Sequence, residues 1–348
     1  MAVTPRGTDW GLAALVASLS ATGALTLFAG GSGDAWVFAL HDALGVAIAV
    51  LVVVKLRRVW PRFAHPSRWS PWAGAGVLGA VLVIAALGSG LMWANGATVS
   101  PGGYSLLSWH DALGVFLVIA VAVHMVVRAK PLRRRELANR RQFLSAAAIA
   151  LGAAVVWRAE RPFDALVALK GARRRFTGSY EADSFAGNAF PTTSWVADDP
   201  RPIAPAGYHL TVGGLVRHPL SLSLADLAPR DQLVATLDCT GGFYSTQRWG
   251  GVRLGRLIDR AGPAPGASHL RIVSVTGYRW SFALSDTRQL LLATHVGDEP
   301  LSHDHGAPAR LVVPNARGFQ WVKWVTKIEL LDHPDYGAPA STILSSLG

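Results

Sequence analysis

LDCTGGFYSTQRWGGVRL, residues 237–254, decides how the second half of the chain is read. It holds Cys239, the single cysteine in a chain of 348 residues. A thiolate is a soft ligand suited to a redox-active metal. Cys239 closes the strand-like run Leu233–Leu237, and Gly241 and Gly242 follow it. Glycines leave room for a bulky group to approach the backbone. A thiolate at a strand end with space beside it suits a cofactor anchored by one protein bond. The other reading of a solitary cysteine is a small buried hydrophobe.

The surrounding motifs favour the first reading. After Cys239 come a polar and aromatic run, then Trp249-Gly250-Gly251-Val252, then a helix-like Leu254–Ile258. Further on stand Ser274–Tyr278 (SVTGY), Leu291–Leu301 (LLATHVGDEPL), Gly306–Pro314 (GAPARLVVP) and Val322–Leu330 (VKWVTKIEL). This ordered set, over roughly residues 185–332, resembles the molybdopterin domain of the sulfite oxidase family. The resemblance implies a mixed α+β fold and an oxidoreductase that transfers an oxygen atom. It makes Cys239 the molybdenum ligand and the catalytic centre. It also implies pterin contacts from Asn188 and Phe190 in Phe185–Trp195 (FAGNAFPTTSW), and phosphate contacts from Lys323 with Arg317, Gly318 and Phe319 just before it. One departure is Gly242, where many members carry Asn.

Composition places half of the chain in a membrane. Hydrophobic residues make up 51% of the chain, and the mean hydropathy is +0.30. The net charge of +11 is unevenly divided. Residues 1–157 hold 13 basic and 5 acidic side chains, and residues 158–348 hold 20 and 17. The outer half lacks the basic face of a nucleic-acid-binding protein, so no nucleic acid is expected. One cysteine excludes an intrachain disulfide.

Four apolar segments are each near the roughly 20 residues that cross a bilayer: Trp10–Ala29, Trp36–Leu56, Trp72–Trp93 and Leu106–Val127. A fifth, Phe143–Trp157, is shorter and alanine-rich. The loop after the second segment carries Lys55, Arg57, Arg58, Arg62 and Arg68. That after the fourth carries Arg128, Lys130, Arg133, Arg134, Arg135, Arg140 and Arg141. The loops at 30–35 and 94–104 carry no Lys or Arg. The positive-inside rule then puts the N-terminus in the cytoplasm and residues 158–348 outside a bacterial cell membrane. Arg173, Arg174 and Arg175 oppose this placement weakly, unless they meet lipid headgroups. Asn139–Leu144 (NRRQFL) resembles a twin-arginine export signal; it also reads as the positive flank of an anchor helix. The expected organisation is a four-helix cytochrome b-like bundle over 1–130 and a basic loop with anchor helix over 131–157. A linker with a loop leading to the cofactor follows over 158–200, then the oxidoreductase domain over 201–348.

His-Asp-Ala-Leu-Gly-Val occurs twice, at 41–46 and 110–115. Each copy opens a membrane segment near its outer end, which suggests that His41 and His110 face one another as ligands of a haem b. Gly45 and Gly114 follow four residues on, on the ligand face. The alternative is a pair of hydrogen-bonded packing histidines. His124 lies fourteen residues after His110, on nearly the same face and about 21 Å deeper. That spacing resembles diheme b-type cytochromes. However, the equivalent position in the second segment is Lys55, so His124 holds a second haem, lines a quinone pocket or packs. Electrons would be exchanged with the haem, with quinone as the far partner. The rival readings are a b-type cytochrome or an anchored binding module without an active molybdenum centre. Arg248 and Arg279 read as surface ion pairs or as substrate contacts, and His295, His303 and His305 as a solvated loop region rather than a metal site.

Overall fold

The computed structural model describes residues 4–65, 67, 73–128, 130–131, 140–194 and 198–341. Arg68, Trp72, Arg133, Arg134, Arg135, Asn139 and Trp195, all used above, lie outside the described residues. The chain divides into two compact units, Met1–Gly178 and Ser179–Gly348.

The first unit holds five long helices among the described residues: α1 Pro5–Thr26, α2 Ala35–Phe63, α3 Ala73–Ala94, α4 Leu106–Arg128 and α5 Arg140–Leu166. Thr4 caps α1 by accepting a hydrogen bond from the Gly7 amide (3.1 Å), with Pro5 in the first turn. Among the described residues three stretches are long and apolar enough to cross a membrane: Ser32–Pro61, Gly74–Ala94 and Leu106–Val127. The sequence led us to expect four such segments and an anchor. The first helix, rich in Ser and Thr, and the fifth, charged over residues 158–164, are helices but do not meet that measure.

Each end of this bundle is tied differently. At one end Lys55 on α2 pairs with Asp9 on α1, and Arg58 donates to the Thr8 hydroxyl (3.1 Å). Trp10 donates from its indole to the Lys130 carbonyl (3.0 Å). At the other end, Arg174 lies 4.0 Å over the Trp93 ring and donates to the Gly178 and Ala97 carbonyls. Arg175 donates to the Gly30 carbonyl (3.2 Å). These two arginines, which oppose the expected topology unless they meet lipid headgroups, hydrogen-bond loop carbonyls of the unit.

The second unit is a mixed α+β domain built on two sheets. Its strands are β1 Tyr180–Glu181, β2 His209–Gly214, β3 Leu220–Ser223, β4 Asp231–Asp238 and β5 Phe243–Arg253. After the single longer helix α6 Leu254–Ala261 come β6 His269–Ser274, β7 Arg279–Ala283, β8 Leu291–Val296, β9 Glu299–Pro300, β10 Arg310–Val312 and β11 Val325–Leu331. One sheet runs β1-β5-β8-β10, with β4 paired to β5 and β9 to β8; the other runs β3-β2-β11-β6-β7. Their inner faces share one core that includes Leu210, Trp249, Leu270, Leu292 and Ile328.

Two departures from the sequence reading matter for the site. The run after Cys239 is a long strand, β5, with Phe243, Ser245, Gln247 and Trp249 buried at every second position. Gln247 satisfies its buried amide by donating to the Asp183 carbonyl (2.7 Å). Within the motif that starts at Val322, the strand β11 begins only at Val325. Trp324 sits at φ +48° and breaks it.

Gly251 packs against the backbone of β8. A Cβ there would stand 2.7 Å from the Ala293 Cα and closer still to the Leu292 carbonyl, whereas at Gly213 it would meet open space. Gly251→Ala is expected to cost about 1–3 kcal/mol through forced backbone movement. Gly213→Ala should be nearly silent. Thermal unfolding of the two variants side by side checks this.

Candidate active site

Cys239 follows the last residue of β4. Its amide donates to the Phe243 carbonyl (2.8 Å), and its carbonyl accepts from Gly242 (3.0 Å). This tight reversal places Gly242 at φ +97°, a conformation that favours glycine over any residue with a side chain. The departure noted at Gly242 thus has a backbone cause. The Cys239 sulfur accepts from the Gly241 amide (3.3 Å) and lines a cavity of about 170 Å³. Phe190, Thr193, Asp198, Tyr278, Arg310, Gly318, Phe319, Trp321 and Lys323 also line it.

The floor of the cavity is held by a buried ion pair. Asp238 accepts from Arg317 (2.6 Å) and from the Ser179 hydroxyl (2.8 Å), and both charged side chains are buried. Arg317 is therefore turned onto Asp238. Its neighbour Gly318 packs so closely that a Cβ would lie 3.0 Å from the Cys239 Cα.

Two cations stand in the walls. Arg310 is 2% exposed and donates to the His305 carbonyl (2.9 Å). Its guanidinium lies 5.2 Å from the Trp249 ring and 5.7 Å from the Trp321 ring. Its Nε is buried with no partner. Burial lowers its pKa to about 10, against the opposing pull of Cys239. Lys323 donates from Nζ to the Thr193 carbonyl and the Ser194 hydroxyl (both 3.0 Å). Burial first, then Arg310, lowers its pKa to about 8, while Cys239, Asp198 and Asp304 oppose the shift. A buried and a half-buried cation beside a thiol, the first with an unused donor, form a receptor for a large anion.

His305 corrects the expectation of a solvated loop. It is 3% exposed, and both ring nitrogens are engaged: Nδ1 with the Ser302 hydroxyl (2.7 Å), Nε2 with the Phe190 carbonyl (3.0 Å). A carbonyl only accepts, so Nε2 carries the proton. Burial lowers the pKa to about 4, which keeps the ring neutral. Its ring packs 4.0 Å from Phe190 and so fixes one wall.

Of the residues expected at the cofactor, Cys239, Phe190, Gly318, Phe319 and Lys323 share the cavity. Arg317 faces Asp238. Asn188 is engaged elsewhere: its Nδ2 donates to the Pro300 carbonyl and its Oδ1 accepts from the Ser302 amide (both 2.9 Å). Arg248 is exposed on β5, and Arg279 pairs with Asp335 (2.7 Å). Arg310, Trp321, Tyr278 and Asp198 were not singled out from sequence. Arg310 did carry a signal, a charge inside the apolar run Ala309–Val313.

In the first unit, the His41 and His110 rings face each other with centroids 6.0 Å apart at 80°. His41 Nδ1 meets the Thr22 hydroxyl (2.9 Å), and His110 Nδ1 donates to the Ala86 carbonyl (2.8 Å). Gly90 sits against His110, where a Cβ would come within 2.9 Å of its ring; at Gly45 and Gly114 it would meet open space. His124 is exposed on α4, and Lys55 pairs with Asp9. No group of three or more potential metal ligands from His, Cys, Asp and Glu occurs among the described residues.

Residues 197–338 match the family model described as the oxidoreductase molybdopterin binding domain. The chain is 30% identical to the protein-methionine-sulfoxide reductase catalytic subunit of Gluconobacter oxydans, over 42% of this chain and 53% of that protein. It is 28% identical to sulfite oxidase of Arabidopsis thaliana, over 37% and 43%. With human mitochondrial sulfite oxidase the identity is 30%, over 38% and 30%. The chain thus spans about half the length of the first relative and less of the others. These matches support an oxidoreductase-type molybdopterin domain in the second unit.

Lys323 is charged below about pH 8 and neutral above it. Its hold on an anionic cofactor should fade as pH rises through that value. Molybdenum retained after desalting is expected to drop across this range in the parent chain. Lys323→Arg, whose charge persists, should abolish the step.

Proposed function

We propose that the chain is a membrane-bound, molybdopterin-dependent oxidoreductase. It transfers an oxygen atom to or from a small oxyanion or sulfoxide-type substrate, and exchanges electrons with a membrane haem b and, beyond it, quinone. One observation carries the reading: Cys239 opens into a cavity whose buried wall holds Arg310, with Nε unpartnered, next to Lys323. Cys239 would hold the molybdenum. Arg310 and Lys323 would meet the anionic groups of the pterin, and Phe190, held by His305, would pack against it. The bound cofactor supplies two-electron oxygen-atom transfer. The protein orients the substrate, excludes water and supplies charge.

The paired histidines support the haem. Ring centres 6.0 Å apart would let both imidazoles reach one haem iron between them. Each ring engages Nδ1 in a hydrogen bond, leaving Nε2 as the ligand atom. The ion pair of Lys55 with Asp9 and the exposed position of His124 favour one haem over two. The basic end of the bundle would face the cytoplasm, and the end bearing Gly30, Ala97 and Arg174 the outside. The apolar helices would make lipid a partner, with four spans and the fifth helix as anchor.

Metal content of detergent-purified protein from a cofactor-competent host tests this. Molybdenum and iron near one per chain are expected. Cys239→Ser should lose molybdenum and keep the b-type absorption spectrum, and His110→Ala the reverse. Iron without molybdenum in the parent chain would leave a cytochrome with a docking domain. Absence of both metals would remove the redox reading altogether.

A further inference from the structure

Most polar groups lining the cavity are already committed. Arg310 donates to the His305 carbonyl, Lys323 is held by Thr193 and Ser194, and both nitrogens of His305 are engaged. The Tyr278 hydroxyl donates to the Phe319 carbonyl. Asp198 differs. It is 8% exposed and lines the same cavity as Cys239, yet its Oδ1 has no hydrogen-bond partner. Leaving a buried carboxylate oxygen unmatched is costly. The fold sustains that cost in the wall of the cavity that Cys239 also lines.

We infer that Asp198 exchanges a proton with the reacting oxygen during turnover. This rests on the function proposed above. Reduction of an oxide breaks the bond between oxygen and the substrate atom. It takes up two electrons and two protons, and it releases the reduced substrate and water. The two electrons come one at a time from two equivalents of a one-electron donor, either the reduced haem or a reduced viologen. Asp198 passes one proton through Oδ1 and solvent provides the second; oxidation runs the same steps backwards.

The charges around Asp198 suit this role. Burial raises its pKa above the usual carboxylate range, opposed by a hydrogen bond with Thr276 and by the Lys323 charge. The Tyr278 phenol is pushed upward by burial and by Asp198 itself, so it stays protonated. Arg310, Asp304 and Cys239 are the other titratable groups on the cavity besides His305. A carboxyl raised in this way takes up and gives back a proton closer to working pH than an exposed one.

Two measurements on the full-length protein test the inference. The first is the infrared carbonyl band of a protonated carboxyl, followed against pH. We expect a band that persists above the ordinary carboxylate range and is missing in Asp198→Asn. The second is the molybdenum midpoint potential against pH, followed by electron paramagnetic resonance. The potential should fall as pH rises in the parent chain and in Asp198→Glu. In Asp198→Asn the slope should become shallower, with molybdenum content unchanged. An infrared band identical in parent and Asp198→Asn would overturn the inference whether or not metal is bound. So would an unchanged slope, or loss of molybdenum from both variants. A parent chain without molybdenum counts against the proposed function alone, and the infrared result then decides the role of Asp198.

Discussion

The buried ion pair between Asp238 and Arg317 is the constraint on which the site depends. Asp238 is completely buried and accepts from both Arg317 and Ser179. A charge in that position is tolerable only while its partner is present; removing one member of such a pair typically costs about 3–5 kcal/mol. The pair joins the end of β4 to the loop before β11. The next residue on one side is Cys239 and on the other Gly318, and the two backbones touch there. The thiol therefore stands on a rigid base, and Lys323 follows a few residues later on the same loop.

Above that base the cavity is an electrostatic device with little freedom. Arg310 is buried beside two tryptophans that touch one another, and Lys323 is held by Thr193 and Ser194. Two cations near one thiol hold positive potential where water is scarce, and in such a place charge acts strongly. His305 stays neutral, so it fixes Phe190 without adding to that potential. In the first unit the histidine pair depends on the small residue Gly90 and on acceptors supplied by α1 and α3.

The helices could be read from sequence because long apolar runs and basic loops leave few alternatives. Cys239, Phe190, Gly318, Phe319 and Lys323 were reached through their motifs. β5 was hidden because Ser245 and Gln247, both polar, point inward, and no hydrophobic alternation announces the strand. Arg317 was assigned to the cofactor because sequence gives a residue's place but not the direction of its side chain, which here is set by Asp238. His305 looked solvated because a Gly and Pro context suggests a surface loop, while its burial depends on Phe190, 115 positions away. Asp198 sits in a polar stretch that looks like any linker, and only folding shows that it lines the cavity and that one of its oxygens is buried and unmatched.

The central claim is that Cys239 ligates molybdenum at the base of this cavity. Molybdenum-edge X-ray absorption of the parent chain and of Cys239→Ser tests it most directly. The account predicts a sulfur shell around the metal that loses one scatterer in the variant, or a variant that no longer holds the metal. A sulfur shell and molybdenum content identical in the two proteins would contradict it.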